Sequence, residues 1–309
     1  MSATGGRELP PRTGSLEDMP IARPAVGAAL VLGAGVFWSL QSLAIRWTDE
    51  SPSEVIAFWR FYGQFFFLII ALILGQRGRI LTSFRRAGLP AILGGVCQAV
   101  ASVFMVFAVV HTSTANAVFI ISLAPFLAGT MAWALMGERP SRLTWAAMVV
   151  AIAGVGVMVS GERSDLQLLG SFYALLVAVG FAGLSVMLRY GRQVEMLPTV
   201  CWGALIGLVA SFAIAFARGT DDLDMPLDDV LIVMLMGGSL IGLGMLCFVR
   251  GARHVPAGVL ALLSLSEIVL APIWTWLFAG EAIAPREMMG AGIVLLAIAG
   301  QAVATGRGR

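Results

Sequence analysis

Residues 111–138, HTSTANAVFIISLAPFLAGTMAWALMGE, recur 143 positions later as residues 254–281, HVPAGVLALLSLSEIVLAPIWTWLFAGE. The two stretches align His111 with His254, Trp133 with Trp276, and Gly137-Glu138 with Gly280-Glu281. Glycine matches are cheap in a chain with 36 of them, but the chain has only 2 histidines and they coincide. Working outward, the same shift puts Ser42 on Ser185, Arg46 on Arg189, Trp59 on Trp202, and Gly94-Gly95 on Gly237-Gly238. A shift of 146 then brings AIAG at 151–154 onto AIAG at 297–300. Self-similarity at a fixed spacing marks repeated architecture. The chain therefore reads as two repeats, 24–162 and 166–306, behind a polar segment, 1–23, that carries Pro and Gly and is expected to be a disordered cytoplasmic tail.

The composition says what solvent the repeats meet. Of 309 residues, 59% are hydrophobic and 12% charged, with a mean hydropathy of +0.90. A soluble domain carries about 25% charge, and a core of this size could not hide the excess apolar surface. A cytosolic enzyme, a secreted disulfide scaffold and a disordered regulator are excluded. The basic residues number 20 and all are Arg, so chemistry that needs a Lys is excluded as well. The net charge of +2 is spread over short loops and offers no nucleic-acid face. Cys97, Cys201 and Cys247 lie in apolar runs without metal-ligand or CxxC spacing and read as small hydrophobes.

A membrane helix needs about 20 mostly apolar residues. Runs without Asp, Glu or Arg fall at 24–45, 87–110, 112–137, 143–161, 166–188, 196–217, 230–249 and 288–306. Two more, 55–76 and 255–280, each hold one charge, Arg60 and Glu267. The predicted fold class is an all-α polytopic membrane protein with ten transmembrane helices. Arginine placement orients it: 15 fall in segments on the side of the N-terminus and 4 in the opposite loops, so both termini are expected in the cytoplasm.

Five helices per repeat is an odd number, so the second repeat must enter the bilayer from the opposite side. Inverted repeats of this kind are a signature of transporters, with a site near the midplane at the repeat interface and alternate exposure to either side. A duplicated membrane scaffold without transport is the contrary reading. Arg60 and Glu267 are the candidates for chemistry, because charges at membrane depth are costly and are usually paired or functional. One reading is an ion pair locking helix 2 to helix 9. The other has Arg60 meeting a substrate carboxylate while Glu267 meets an amine or carries a coupling proton. Gln41, Gln64, Gln98, Asn116, Ser239, Ser264 and Ser266 are candidates to line the same cavity, although such side chains also join helices in lipid. Trp38 is a candidate wall for an apolar part of the substrate, against the commoner interfacial use of Trp. Gly203-x-x-x-Gly207, Gly238-x-x-x-Gly242 and the two Gly-Gly pairs read as packing faces, with loosening of helices 3 and 8 as the alternative for the pairs. His111 and His254 fall at opposite membrane faces and cannot share a site. No HExxH, paired carboxylates or intramembrane Asp is present, so enzyme chemistry is not expected.

The pattern Pro125-x-x-Ala-x-x-Met-x-Trp133-x-x-x-Gly137-Glu138-Arg139, followed by Gly154-Val155, resembles the EamA domain of the drug/metabolite transporter superfamily. Its second copy runs from Glu267 through Trp276 to Gly280-Glu281 and Gly300, and Trp38 and Arg60-Phe61 fit the first repeat. The resemblance covers essentially all of 25–306. It implies two EamA repeats, a central cavity walled by helices 1–4 and 6–9 with 5 and 10 peripheral, and movement of a small metabolite, often an amino acid and frequently outward. The expected setting is a bacterial inner membrane, with a small-molecule substrate and lipid as partners, no nucleic acid, no cofactor, and a homodimer left open. Organic-cation efflux or metabolite import on the same fold remain alternatives. Where the family often has Pro after the helix-9 Glu, this chain has Ile268 and then Pro272, which displaces the expected kink by a turn.

Overall fold

The computed structural model describes residues 24–40, 52–76, 80–111, 114–160, 168–220, 222–279 and 285–307; the tail 1–23 and the candidate Gln41 lie outside them. Regular structure among the described residues is helical: α1 (Pro24–Ser39), α2 (Ser53–Gln76), α3 (Ile80–His111), α4 (Thr114–Ile121), α5 (Ala124–Met136), α6 (Arg142–Val159), α7 (Leu168–Tyr190), α8 (Leu197–Arg218), α9 (Leu227–Leu235), a π-helical segment (Met236–Gly242), α10 (Leu243–Ala252), α11 (Ala257–Ser264), α12 (Ser266–Ala279) and α13 (Pro285–Arg307). Among the described residues, 7 stretches are long and apolar enough to cross a membrane, and Pro24–Ser39, Arg142–Met158 and Met288–Ala304 are shorter apolar helices.

Local chemistry accounts for the ends. Ser141 caps α6, its Oγ accepting from the Thr144 amide at 3.1 Å. Gly137 closes α5 in the left-handed region at φ 69°, where an L side chain is disfavoured, and its amide donates to the Trp133 carbonyl at 3.0 Å. Gly88, at φ 54°, makes a kink within α3, so the expected run 87–110 is prolonged by a separate leading turn.

Two runs expected as continuous helices are broken, and at equivalent positions. α4 yields to α5 at Ser122–Leu123, and α11 yields to α12 at Leu265, 143 residues beyond Ser122. Before each break a serine turns back on its own helix: Ser122 donates to Phe119 O at 2.6 Å and Ser264 to Leu260 O at 2.9 Å. Such back-bonding competes with the regular ladder and bends helices. Pro125, in the first turn of α5, adds its missing N–H to the first break. The second break needs no proline. It lies ahead of Glu267, and Pro272 is inside α12, so the kink is not displaced towards Pro272 as the sequence predicted. The run 230–249 also departs from expectation, because its Gly237-Gly238-Ser239 core is π-helical and the Ser239 hydroxyl donates to the Leu235 carbonyl.

Packing follows the repeat. α1 crosses α10 with Gly27 on His254, Gly251 on Val31 and Gly244 on Trp38, a descending register that makes the two antiparallel. α3 crosses α7 with Gly94 on Met187, Gly183 on Cys97 and Gly180 on Ala101. Moving the first crossing by 143 residues, forward on one helix and back on the other, superposes it on the second. α2 with α8 and α6 with α13 each pair a helix with its own repeat mate, whereas α5 packs on α11, the mate of α4. The paired crossings obey one pseudo-two-fold axis, and the α5–α11 contact departs from it, having no α4–α12 contact of like extent among the described residues. At the core, Trp38 meets its repeat mate Phe181 edge-on at 6.2 Å, and Phe248 packs on both at 5.2 and 5.4 Å.

α12 is fastened to α1 by Trp274, whose Nε1 donates to Ser39 Oγ at 2.8 Å. Trp274→Phe keeps most of the ring area and loses this bond. It is expected to cost about 1 kcal/mol, read as a small fall in melting temperature in detergent. A variant that melts with wild type would show that the bond contributes nothing net.

Candidate substrate-binding site

α2 and α8 run antiparallel, side by side. Arg218 pairs with Glu54 at 3.3 Å, Phe58 lies 6.1 Å from Phe212, and Gly207 sits under the Phe61 ring. One turn further along α2, this register brings Gln64 level with Gly203–Ala204. α3 runs parallel to α8, with Gly94 on Thr199 and Gln98 on Gly203. Gln98 thus lies on Gly203, the α2–α8 register brings Gln64 to the same level, and Arg60 stands one turn from Gln64 on α2.

These side chains are not satisfied. Arg60 Nε and Nη2, Gln64 Nε2, both Gln98 amide atoms and Thr199 Oγ1 are buried without a hydrogen-bond partner among the described residues. The Arg60 guanidinium carbon lies 5.0 Å from the centroid of the neighbouring Phe61 ring. Leaving a buried donor unmet normally costs about 1–3 kcal/mol, so a concentration of them at one level of a membrane protein calls for an explanation.

The other sequence candidates fall elsewhere. Glu267 opens α12, which packs on α1 and α13, and Gly35 of α1 lies against the Glu267 amide and Ser266. Glu267 is engaged by a partner within the protein, but no ion pair joins it to Arg60 among the described residues. The locking bridge between helices 2 and 9 is therefore not present: α2 packs on α8, α9 and the π segment instead. Trp38 is buried in the α1–α10 crossing, its Nε1 directed at the Ile241 carbonyl at 3.5 Å. Ser264 and Ser239 donate to carbonyls of their own helices. Asn116 lies in α4 and its side chain is outside the described ones, as is Gln41 altogether.

One polar cluster was not recognised from the sequence. Glu138, aimed by the Gly137 turn, accepts from Arg189 Nε at 2.9 and 3.2 Å, and Arg192 lies 3.7 Å away. Arg189 also donates to the Arg253 carbonyl at 3.1 Å, and Arg253 pairs with Glu195 at 3.1 Å. The network ties the segments after α5, α7 and α10 at one end of the protein. Its signal was present in the repeated Arg46/Arg189 and Glu138/Glu281, which were matched across repeats but not paired with each other. Arg139 meanwhile stacks on Trp133 at 5.3 Å, so each residue of the Trp-Gly-Glu-Arg motif has a structural task.

The EamA-like transporter family model matches residues 25–160 and again 168–301. The chain belongs to that family. Its relatives are transporters of the drug/metabolite superfamily. The uncharacterized transporter YwfM of Bacillus subtilis is 28% identical over 214 residues, covering 67% of this chain and 70% of its own. Solute carrier family 35 member G1 of Mus musculus is 28% identical over 265 residues, 81% of this chain and 71% of its own. The pseudopaline exporter CntI of Pseudomonas aeruginosa is 26% identical over 271 residues, 87% of this chain and 92% of its own. One solved structure superposes with a TM-score of 0.75 at 18% identity, covering 91% of this chain and 98% of that one, a likeness of fold alone. This EamA-like protein is a multi-pass membrane transporter with a small-molecule substrate, and not an enzyme.

Proposed function

We propose that the chain spans a bacterial inner membrane ten times with both termini in the cytoplasm, and exports a small amphipathic or zwitterionic metabolite such as an amino acid by alternating access. The observation that carries this reading is the pseudo-two-fold equivalence of the α1–α10 and α3–α7 crossings, with α2 and α8 meeting on the axis. Two half-structures related this way have two equivalent packings, and exchange between them exposes a central site to either side in turn. The arginine distribution supports the orientation, and the exporter CntI supports the outward direction. Arg60 offers a cation for a carboxylate, and Glu267 an anion for an amine or a site for a coupling proton.

The test is counterflow in proteoliposomes with labelled amino acids, nucleosides and organic cations, wild type beside Glu267→Gln. One zwitterionic class should be carried, and a correctly folded Glu267→Gln should lose at least about tenfold of that flux, the equivalent of one interaction of roughly 1.4 kcal/mol. Flux that persists in the variant makes Glu267 structural. Absence of flux for every solute in folded wild type sinks the substrate assignment.

A further inference from the structure

The two repeats differ in chemistry where α2 meets α8. Moved by 143 residues, Arg60 becomes Gly203, Gln64 becomes Gly207 and Gln98 becomes Ile241. On the axis where α2 meets α8, the first repeat carries long polar side chains and the second carries almost none. The glycines make the room. A Cβ on Gly203 would stand 2.6 Å from the Gln98 amide carbon, and one on Gly207 would meet the Phe61 ring beside Arg60.

Donors outnumber acceptors among the unmet polar groups there. Arg60 contributes Nε and Nη2, Gln64 its Nε2 and Gln98 its Nε2, against Gln98 Oε1 and the Thr199 hydroxyl, which can donate or accept. Gln64 and Gln98 are 2% and 1% exposed, so bulk water does not reach them. A surplus of buried donors around a guanidinium is satisfied by a ligand that brings acceptors and negative charge. We propose that Arg60, Gln64 and Gln98 form a carboxylate seat supplied by the first repeat alone, and that a free carboxylate is the obligatory feature of the substrate. This rests on the transporter reading above and narrows it: amine, nucleoside and purely cationic solutes are refused at this seat. Gln64 and Gln98 hold the carboxylate plane through their amide N–H groups, while Arg60 supplies the charge.

Two measurements on the purified full chain in detergent test it. The first needs no substrate. A seat left unmet destabilises the empty protein, so Gln64→Leu, Gln98→Leu and Arg60→Met should melt at or above wild type. A lower melting temperature for the two Gln variants would mean that the amides hold the fold together, and overturns the proposal. The second compares thermal stabilisation by L-leucine, L-phenylalanine and L-glutamate with that by their amides. Wild type should respond to acids at least tenfold more sensitively than to amides. Gln98→Leu should erase that preference, as should Gly203→Ala, which pushes the Gln98 amide aside. Equal response to acid and amide, or response to none of them, overturns the seat. Counterflow separates this from the parent reading. Flux without acid preference sinks the seat and leaves a transporter. Acid-selective stabilisation without flux leaves a binding site and sinks transport.

Discussion

Glu138→Ala is expected to lower the melting temperature of the detergent-solubilised protein by roughly 6–12 °C. The Arg189 side chain is only 10% exposed, and its guanidinium is served by Glu138 and by the Arg253 carbonyl. Removing the carboxylate leaves a largely buried cation without its counter-charge, which costs about 3–5 kcal/mol for fully buried pairs. Glu138 itself keeps 25% of its side chain exposed, so the low end, about 3 kcal/mol, applies here. Each kcal/mol moves the midpoint by roughly 2–4 °C in a protein of this order of size. Arg192→Ala is the control. Its contact with Glu138 is 3.7 Å and its side chain is 41% exposed, so it should cost well under about 1 kcal/mol. A Glu138→Ala protein that melts within 2 °C of wild type (roughly the shift from one weak surface pair) would show that the network contributes no net stability. If alternating access operates as proposed, opening this end must part the same residues, so the pair also weights the protein towards the state seen here.

Gly290→Leu should abolish recovery of monodisperse protein. α6 and α13 approach through their backbones: a Cβ on Gly290 would run into the Gly154 carbonyl and stand 2.6 Å from the Met158 amide nitrogen. From the other side, a Cβ on Gly154 would stand 2.8 Å from Val294 Cγ2 and 3.0 Å from the Gly290 carbonyl. Close approach of small residues is what drives helices together in lipid, because apolar side chains gain nothing there over lipid tails. A leucine forces the axes apart and forfeits the whole contact. Overpacking alone costs about 1–3 kcal/mol, and here the obstacle is backbone, which cannot rotate away. Gly292→Leu provides the comparison, since nothing lies within 4 Å of a Cβ at that position. It should express and migrate as wild type on size exclusion. Equal behaviour of the two variants would show that the α6–α13 crossing is dispensable.

How much of this was legible beforehand differs by residue. The breaks in helices 4 and 9 were not read from the sequence, because Ser122 and Ser264 look like any membrane serine until their hydroxyls are seen on Phe119 and Leu260 carbonyls. Gly203 and Gly207 were read as a packing face, and they do pack. That they stand where the first repeat has Arg60 and Gln64 is a matter of comparing the repeats. That Gln98 fills the space above Gly203 is a matter of geometry. Arg60 and Glu267 were singled out together because both are charges in apolar runs, yet hydropathy carries no information on which helices are neighbours. Trp38, a candidate cavity wall, is a packing residue between α1, Phe181 and Phe248.

What the amino-acid order determined by itself is whatever depends on periodicity and on transfer into lipid: membrane residence, the repeat at 143, and the family motifs. Those follow from each residue's own free energy in lipid or water and from its match to one other position, so a one-dimensional reading suffices. Only the tertiary structure decided which buried polar groups meet. Among the described residues, Glu138 found Arg189, Arg60 did not find Glu267, and Gln64 Nε2 and the Gln98 amide came to one level of α8 unmet. Helix–helix contact in a bilayer is set by small residues and van der Waals fit, terms too short-ranged and too context-dependent to read from spacing alone.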